Sequence, residues 1–291
     1  MKKILLATTL LAASTGFAAA EAVELSGDAR MGVISDFGST AMAFTSRARV
    51  KFTLSGETDG GLAFGASFRA DNAGGAASGT AGSVFISGAF GKLSMGDVDG
   101  AANAAVGHVS GVGLTGLGDL NESTYFANGT GLSDPSALYE YSTGDLTIYA
   151  SATNPAGGAA LVDAYSIAAK YAFGDFTVAL GYETADAGVT STDHIILGGS
   201  ATFGAVTVKA KYGEADFGAT SGSQWAVSVD YAMDALTVTA FYTDDSELLG
   251  AEAYGLGAAY DLGGGAKVVG GYAMNQTTGL DAYDLGVSMS F

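Results

Sequence analysis

The chain has 291 residues, and its 30 aspartates and glutamates outnumber its 12 lysines and arginines, for a formal charge of −18. So acidic a chain repels phosphate and excludes nucleic acid as a partner. No cysteine is present, which rules out a small disulfide-stapled fold, and 45 glycines with only two prolines, Pro135 and Pro155, suit tight turns between uninterrupted strands.

Residues 1–20 read as a cleaved secretory signal peptide. Lys2 and Lys3 give a positive start, Ile4 to Leu11 an apolar run, and Ala18-Ala19-Ala20 a small-residue cleavage site before Glu21. Residues 21–291 then form a single domain, and loss of the two leader lysines takes its charge to about −20. No later stretch supplies eighteen consecutive apolar residues, so no transmembrane helix is expected.

From there apolar residues recur at spacing two, the signal of half-buried strands. Leu25, Ala29, Met31 and Val33 share one face of the first strand. In the second, Phe44, Ala48, Val50, Phe52 and Leu54 alternate with Thr45, Arg47, Arg49, Lys51 and Thr53. Leu62 to Arg69, Ser83–Ala89 and Lys92–Gly96 supply three more.

The longest break in the alternation follows, from Asp97 to Pro135. It contains the acids Asp97, Asp99, Asp119, Glu122 and Asp134, and no Lys or Arg occurs between Leu93 and Ala169. An unpatterned stretch of this length in a strand-rich chain is either functional or disordered. We expect a loop that folds into a barrel and narrows it.

Eleven strands remain. Pairs meet at the short turns Thr143-Gly144-Asp145, Gly174-Asp175, Gly204, Asp234-Ala235 and Gly263-Gly264-Gly265, and the last strand is Asp281–Phe291. Sixteen strands, short turns on one rim and longer loops on the other predict an all-β, antiparallel transmembrane β-barrel. One face carries aromatics at strand ends and aliphatics between them, such as Tyr171, Phe173, Phe176, Val178, Leu180 and Tyr182. That order fits aromatic girdles around a lipid-facing band. The opposite face is rich in Thr, Ser, Gly and charge, and sixteen strands leave a channel between such faces.

Arg47, Arg49 and Lys51 lie on the polar face of one strand, about 6–7 Å apart. Arg30 and Arg69 share that face from the flanking strands. Against lipid each charge would cost about 2–4 kcal/mol; against water, neighbours repel by only about 0.6 kcal/mol. The five therefore face the lumen, where Glu24, Asp28 or Glu57 can pair with them. Asp97 and Asp99 are candidate ligands for a calcium ion, which takes six to eight oxygens. His108 and His194 show no arrangement with a nucleophile and an orienting group, so catalysis is not expected.

The segments Glu24-Leu-Ser-Gly-Asp-Ala-Arg-Met-Gly-Val33, Ser46-Arg47-Ala-Arg49, Phe68-Arg69, Phe85-Ile-Ser-Gly-Ala-Phe-Gly-Lys92 and Tyr260-Asp-Leu-Gly-Gly-Gly-Ala266 stand out as well. Together they resemble a known family, the Rhodobacter-type porins of alphaproteobacteria. The resemblance implies a homotrimer of sixteen-stranded barrels and an inward third loop whose acids face a basic wall. It also implies calcium on loop carboxylates, although this loop is richer in Gly and Ala and poorer in acids than the family pattern. Phe291, ending an alternating strand, resembles the signal read by the outer-membrane barrel-assembly machinery.

The expected function is passive diffusion of small hydrophilic solutes and ions through a weakly cation-selective outer-membrane pore. No cofactor is required, a structural calcium is the one candidate, and the expected surroundings are outer-membrane lipid and lipopolysaccharide. The alternative is a solute-selective channel with a saturable binding site. A barrel enzyme would need a lipid-facing Ser–His pair, which the outward face lacks, and a secreted acidic adhesin would be soluble without detergent.

Overall fold

A computed structural model describes residues 22–39, 41–71, 82–128, 136–153, 163–186 and 191–291. The leader expected at residues 1–20 and the loop acid Asp134 lie outside the described residues. The chain begins with β1 (Ala22–Ser35), β2 (Ala43–Glu57), β3 (Ala63–Asp71), β4 (Ser83–Gly88) and β5 (Gly91–Gly96). A six-residue helix α1 (Ala101–Val106) and a 3-10 turn (Leu117–Asp119) follow. Next come β6 (Ser136–Thr143), β7 (Leu146–Ala152), β8 (Asp163–Phe173), β9 (Phe176–Asp186), β10 (Ser191–Phe203) and β11 (Val206–Asp216). The last five are β12 (Ser221–Met233), β13 (Leu236–Asp244), β14 (Glu252–Gly263), β15 (Ala266–Asn275) and β16 (Leu280–Ser290).

Each strand pairs antiparallel with its sequence neighbours, and β1 pairs with β16, so sixteen strands close into a barrel. Closure satisfies every ladder edge, which a sheet in lipid requires. At the seam Phe291 N donates to Gly27 O and Gly27 N to Phe291 O, 2.9 and 3.2 Å. The final residue thus lies beyond the last strand but remains stitched to the first.

Four two-residue turns on the short-turn rim begin with Gly144, Gly174, Gly204 or Asp234, at φ of 58°, 57°, 62° and 48°. A left-handed first position matches the twist of a tight hairpin. Strands run further than the apolar alternation alone suggests. β10 starts at Ser191 rather than Ile195, because the ladder continues through polar residues beyond the apolar band. β3 reaches Asp71, which brings that acid into register with Arg49.

The two faces differ as expected, with the apolar face outermost. On β8, Tyr165 and Ile167 are exposed while Ala164, Ser166 and Ala168 between them are buried. Tyr171, Phe173, Phe176 and Phe203 make consecutive ring contacts of 5.4–5.7 Å near the short-turn rim, a segment of aromatic girdle. No helix among the described residues is long and apolar enough to cross a membrane; the strands carry the span.

Leu180 lies outward in this band and is about half exposed. Leu180→Arg should cost about 2–4 kcal/mol of unfolding free energy in lipid vesicles. Ser94→Arg, on the polar face, should cost far less; equal losses in urea titrations would contradict the assigned faces.

Candidate pore constriction

The segment from Asp97 to Asn128 lies against the inner face. Its helix α1 packs on β7, β8, β9 and β10, and its 3-10 turn on β15 and β16. The wall residues it touches alternate with the exposed apolar ones, so the contact is luminal. Glycines make room for it. A Cβ on Gly181 would lie 2.6 Å from that of Ala102, and one on Gly198 2.6 Å from Val106 Cγ1. Gly257 likewise accommodates Val112, Gly271 accommodates Gly113, and Gly32 and Gly286 accommodate Leu114. Ala101, Ala102, Ala105, Val109, Val112, Leu114 and Leu117 are consequently buried.

An irregular segment offers few internal partners for its N–H groups, and buried ones must be satisfied. Three carboxylates do this. Glu183 of β9 accepts from Phe126 N and Ala127 N at 2.6 and 3.1 Å. Asp245 accepts from Thr124 N and Oγ1 at 2.9 and 2.6 Å. Asp284 of β16 accepts from Leu114 N, Thr115 N and Thr115 Oγ1 at 2.6–2.9 Å. The hydroxyls of Ser151, Ser166 and Ser228 accept from Ala101 N, Ala102 N and Ser110 N. Burial pushes the Asp245 carboxyl up, against the Thr124 hydrogen bonds and the Lys211 charge, which favour its ionised form.

Behind Glu183 a second layer is fully buried. His194 Nδ1 donates to Glu183 Oε1 at 2.8 Å. The Gln224 amide nitrogen donates to Thr124 O and to His194 Nε2, 2.9 and 2.8 Å. With Gln224 donating to Nε2, Nδ1 is the ring's donor toward Glu183. Lys211 Nζ donates to Gly107 O and to the Tyr125 hydroxyl and lies 4.3 Å from the Tyr125 ring centre. His108 accepts from Ser123 N, and burial followed by the Lys211 charge lowers its pKa to about 4. Both histidines therefore belong to the loop's anchorage. Both lie in the lumen, beneath or within the loop.

The loop acids divide by position. Asp119 and Glu122 are exposed on the loop's free edge, joined by a backbone bond from Glu122 N to Asp119 O. Leu117 and Asp119, at φ of 47° and 51°, make the sharp turn that presents them. Asp97 and Asp99 are also exposed and border a luminal recess of about 420 Å³ with Lys92 and Glu140. Partial burial first, then repulsion from Asp119 and Asp99, raises the Glu122 carboxyl above the usual carboxylate range. Asp99 is raised by burial and by Asp97, opposed by the hydrogen bond from Asn103. Among the described residues no third metal-ligating side chain joins Asp97 and Asp99. Two carboxylates fall well short of the oxygen shell calcium takes.

Arg30, Arg47, Arg49, Lys51 and Arg69 share the inner face of β1–β3. In register, Arg30 is opposite Arg47 and Lys51 opposite Arg69. Acids are interleaved with them. Arg47 pairs with Asp28 at 2.9 Å, and Asp71 pairs with Arg69 at 2.7 Å and with Arg49 at 3.2 Å. Of the partners expected, Asp28 serves; Asp71 takes the place of Glu24 and Glu57 because β3 runs two residues further. The wall meets the loop where Arg30 Nη1 donates to Leu114 O, a long contact of 3.4 Å.

A family model described as "Gram-negative porin" matches residues 7–280. The chain belongs to the Gram-negative porin family. It is an outer-membrane channel and not an enzyme. A curated porin of Rhodobacter capsulatus is 48% identical over 134 residues, a match that spans 44% of this chain and 44% of that relative. A porin structure refined at 1.8 Å superposes with a TM-score of 0.80 at 38% identity, covering 93% of this chain and all of that one. A triple mutant of the Rhodopseudomonas blastica porin superposes at 0.74 with 28% identity over the same shares.

Sequence reading missed the anchors of this porin, Glu183, Asp245 and Asp284. A faint signal existed for two of them: Glu183 and Asp284 are carboxylates at inward strand positions. Glu183→Ala should orphan two loop amides and His194, at about 1–3 kcal/mol for each donor. Faster hydrogen exchange at Phe126 and Ala127 is the expected outcome, with a smaller effect for Glu183→Gln. Unchanged exchange in the alanine variant would show that the anchor is not energetic.

Proposed function

We propose that the barrel is a general diffusion pore for small hydrophilic solutes and ions, weakly selective for cations. The observation that carries this reading is the division of charge within one lumen. The free edge of the anchored loop carries Asp119 and Glu122, with Asp97 and Asp99 at a recess beside it, while the wall of β1–β3 carries five cations, three of them paired with Asp28 and Asp71. Such a division sets a transverse field across the opening. Polar solutes can align in it, whereas apolar ones must displace oriented water. The chain's net charge of −18 concentrates cations at the mouth. That preference fades as the screening length falls from about 30 Å at 0.01 M salt to about 3 Å at 1 M.

Reversal potentials in a salt gradient test the field. D119N with E122Q should reduce cation preference, and R47Q with R49Q should increase it; if neither pair moves reversal potential or conductance, the loop edge does not border the pore. Acid should act in the same direction as the first pair. Asp99 and Glu122 are held above the usual range, so they lose charge at a higher pH than free carboxylates do. Cation preference should therefore fall as pH drops, before the ordinary acids titrate, and this early step should vanish in D99N/E122Q.

Export by the leader at residues 1–20 and recognition of Phe291 by the barrel-assembly machinery complete the reading. A homotrimer is supported by small outward residues on the first strands. Ala29 and Ala48 are opposite one another in the β1–β2 ladder, and Val23, Leu25, Met31 and Phe44 around them are strongly exposed. Outer-membrane lipid and lipopolysaccharide cover the remaining outward face. The transport reading requires no cofactor; a structural calcium would need an oxygen ligand beyond Asp97 and Asp99, and Asp134 is one candidate. Crosslinking in outer membranes should give a trimer, and deletion of Phe291 should lower the membrane yield; monomer alone or an unchanged yield would overturn the respective assignment.

A further inference from the structure

The acids outnumber the bases in this chain by more than two to one, yet one luminal cavity has no acid at all. It lies on the short-turn side of the anchored loop, has a volume of about 190 Å³, and is lined by Lys170, Lys209 and Lys211 without a carboxylate. Its floor follows from register. Lys170, Ala179, Gly198 and Lys211 form one row across β8–β11, and Thr177, Ser200 and Lys209 the next. Three strand spacings separate Lys170 from Lys211, about 14 Å. The two intervening strands carry only small side chains in these rows, so the lysines flank an open floor. The loop backbone at 105–109 roofs it.

The three ammonium groups are not equivalent. Lys211 is committed to Gly107 O and Tyr125 at the closed end. Lys170 and Lys209 have no ion pair or hydrogen bond among the described residues. The carboxylate nearest to Lys209 by register is Asp230, and it is already bonded to Ser110 Oγ and Thr239 Oγ1 at 2.7 and 2.6 Å. Thr177 Oγ1 and Ser200 Oγ are 2.8 Å apart, a hydroxyl pair in which one hydrogen remains free to donate. His108 accepts at Nδ1 from Ser123 N, so the ring of this neutral histidine carries its proton on Nε2, a further donor at the cavity's edge. Donors are in excess and acceptors are consumed.

We propose that Lys170 and Lys209, with the Thr177–Ser200 hydroxyl pair beneath them, form a binding site for a small oxyanion of the phosphate or sulfate class. Charge-assisted bonds from two ammonium groups and a hydroxyl suit a tetrahedral anion with several acceptor oxygens. Chloride, with one centre and no directional lone-pair array, gains less. The cavity holds an inorganic anion and not a nucleotide. The site rests on the reading of the lumen as a conducting pore. It gives that pore one saturable step, on the short-turn side of the loop.

The test uses the whole porin in a planar bilayer. In potassium chloride, added phosphate should depress chloride current and then saturate. K170Q/K209Q should raise the half-effective phosphate concentration about fivefold, while K267Q, a lysine lost on β15, should leave it unchanged. Sulfate should compete with phosphate. A phosphate effect that is linear in wild type, or one that K170Q/K209Q and K267Q change equally, would overturn the site while leaving the pore intact. A wild-type barrel that passes no ionic current would overturn both the pore and the site.

Discussion

An irregular loop can lie inside a barrel only if its backbone donors find acceptors there. Here the wall supplies them as carboxylates. Glu183, Asp245 and Asp284 each accept at least two donors from the loop, and serine hydroxyls accept three more. The ionised acceptor matters. Its hydrogen bonds are roughly twice as strong as neutral ones, and bonds of that kind offset the cost of burying the charge. The glycines opposite the loop are the steric counterpart of these bonds. Without room at Gly181, Gly198, Gly257 and Gly271, the backbone could not approach closely enough for the bonds to form.

Anchorage also explains why the pore lies where it does. The loop covers the inner face of β7–β10 and reaches β15–β16, so the open part of the lumen is bounded by β1–β6. Of the cations of β1–β3, Arg47, Arg49 and Arg69 are partly buried and held by ion pairs with Asp28 and Asp71. These pairs fix where each guanidinium points, which is what a field across a narrow opening requires. Arg30 links the two systems, since it belongs to the wall array and touches the loop carbonyl of Leu114.

Much of the architecture was legible because a barrel in lipid repeats one physical rule at every second residue. An outward charge is costly, an outward apolar residue is favoured, and a short turn needs a left-handed first position. Each rule is local and leaves its mark in consecutive residues such as Phe176 to Tyr182. The strand count, the basic face and the special status of 97–135 follow from it. The anchors were not legible, because a carboxylate under a loop and one in open water occupy the same kind of inward position. Glu183 differs from Glu140 only through what crosses above it, and that depends on contacts more than fifty residues apart. Asp71 was hidden for a different reason. It lies past the last apolar residue of β3, where alternation ends but the hydrogen-bonded ladder does not.

The distribution of charge has a further consequence for how net charge should be read in a pore. The chain is strongly acidic, yet a permeating ion meets the local arrangement rather than the total. At physiological ionic strength the screening length is about 8 Å, shorter than the lumen is long. Acids at the outer loops and at the rims therefore act on the mouth alone. Inside, Glu183 and Asp284 are engaged by loop donors, and Asp71 is paired with wall cations. Among the described residues the lysines at 170 and 209 have no such partner. In the pore as proposed, an ion passes from an acidic mouth, through a field between loop and wall, to a basic recess beyond it. In the proposed pore, selectivity is a sequence of opposed local preferences, and a weak net preference is what such a sequence leaves after they largely cancel.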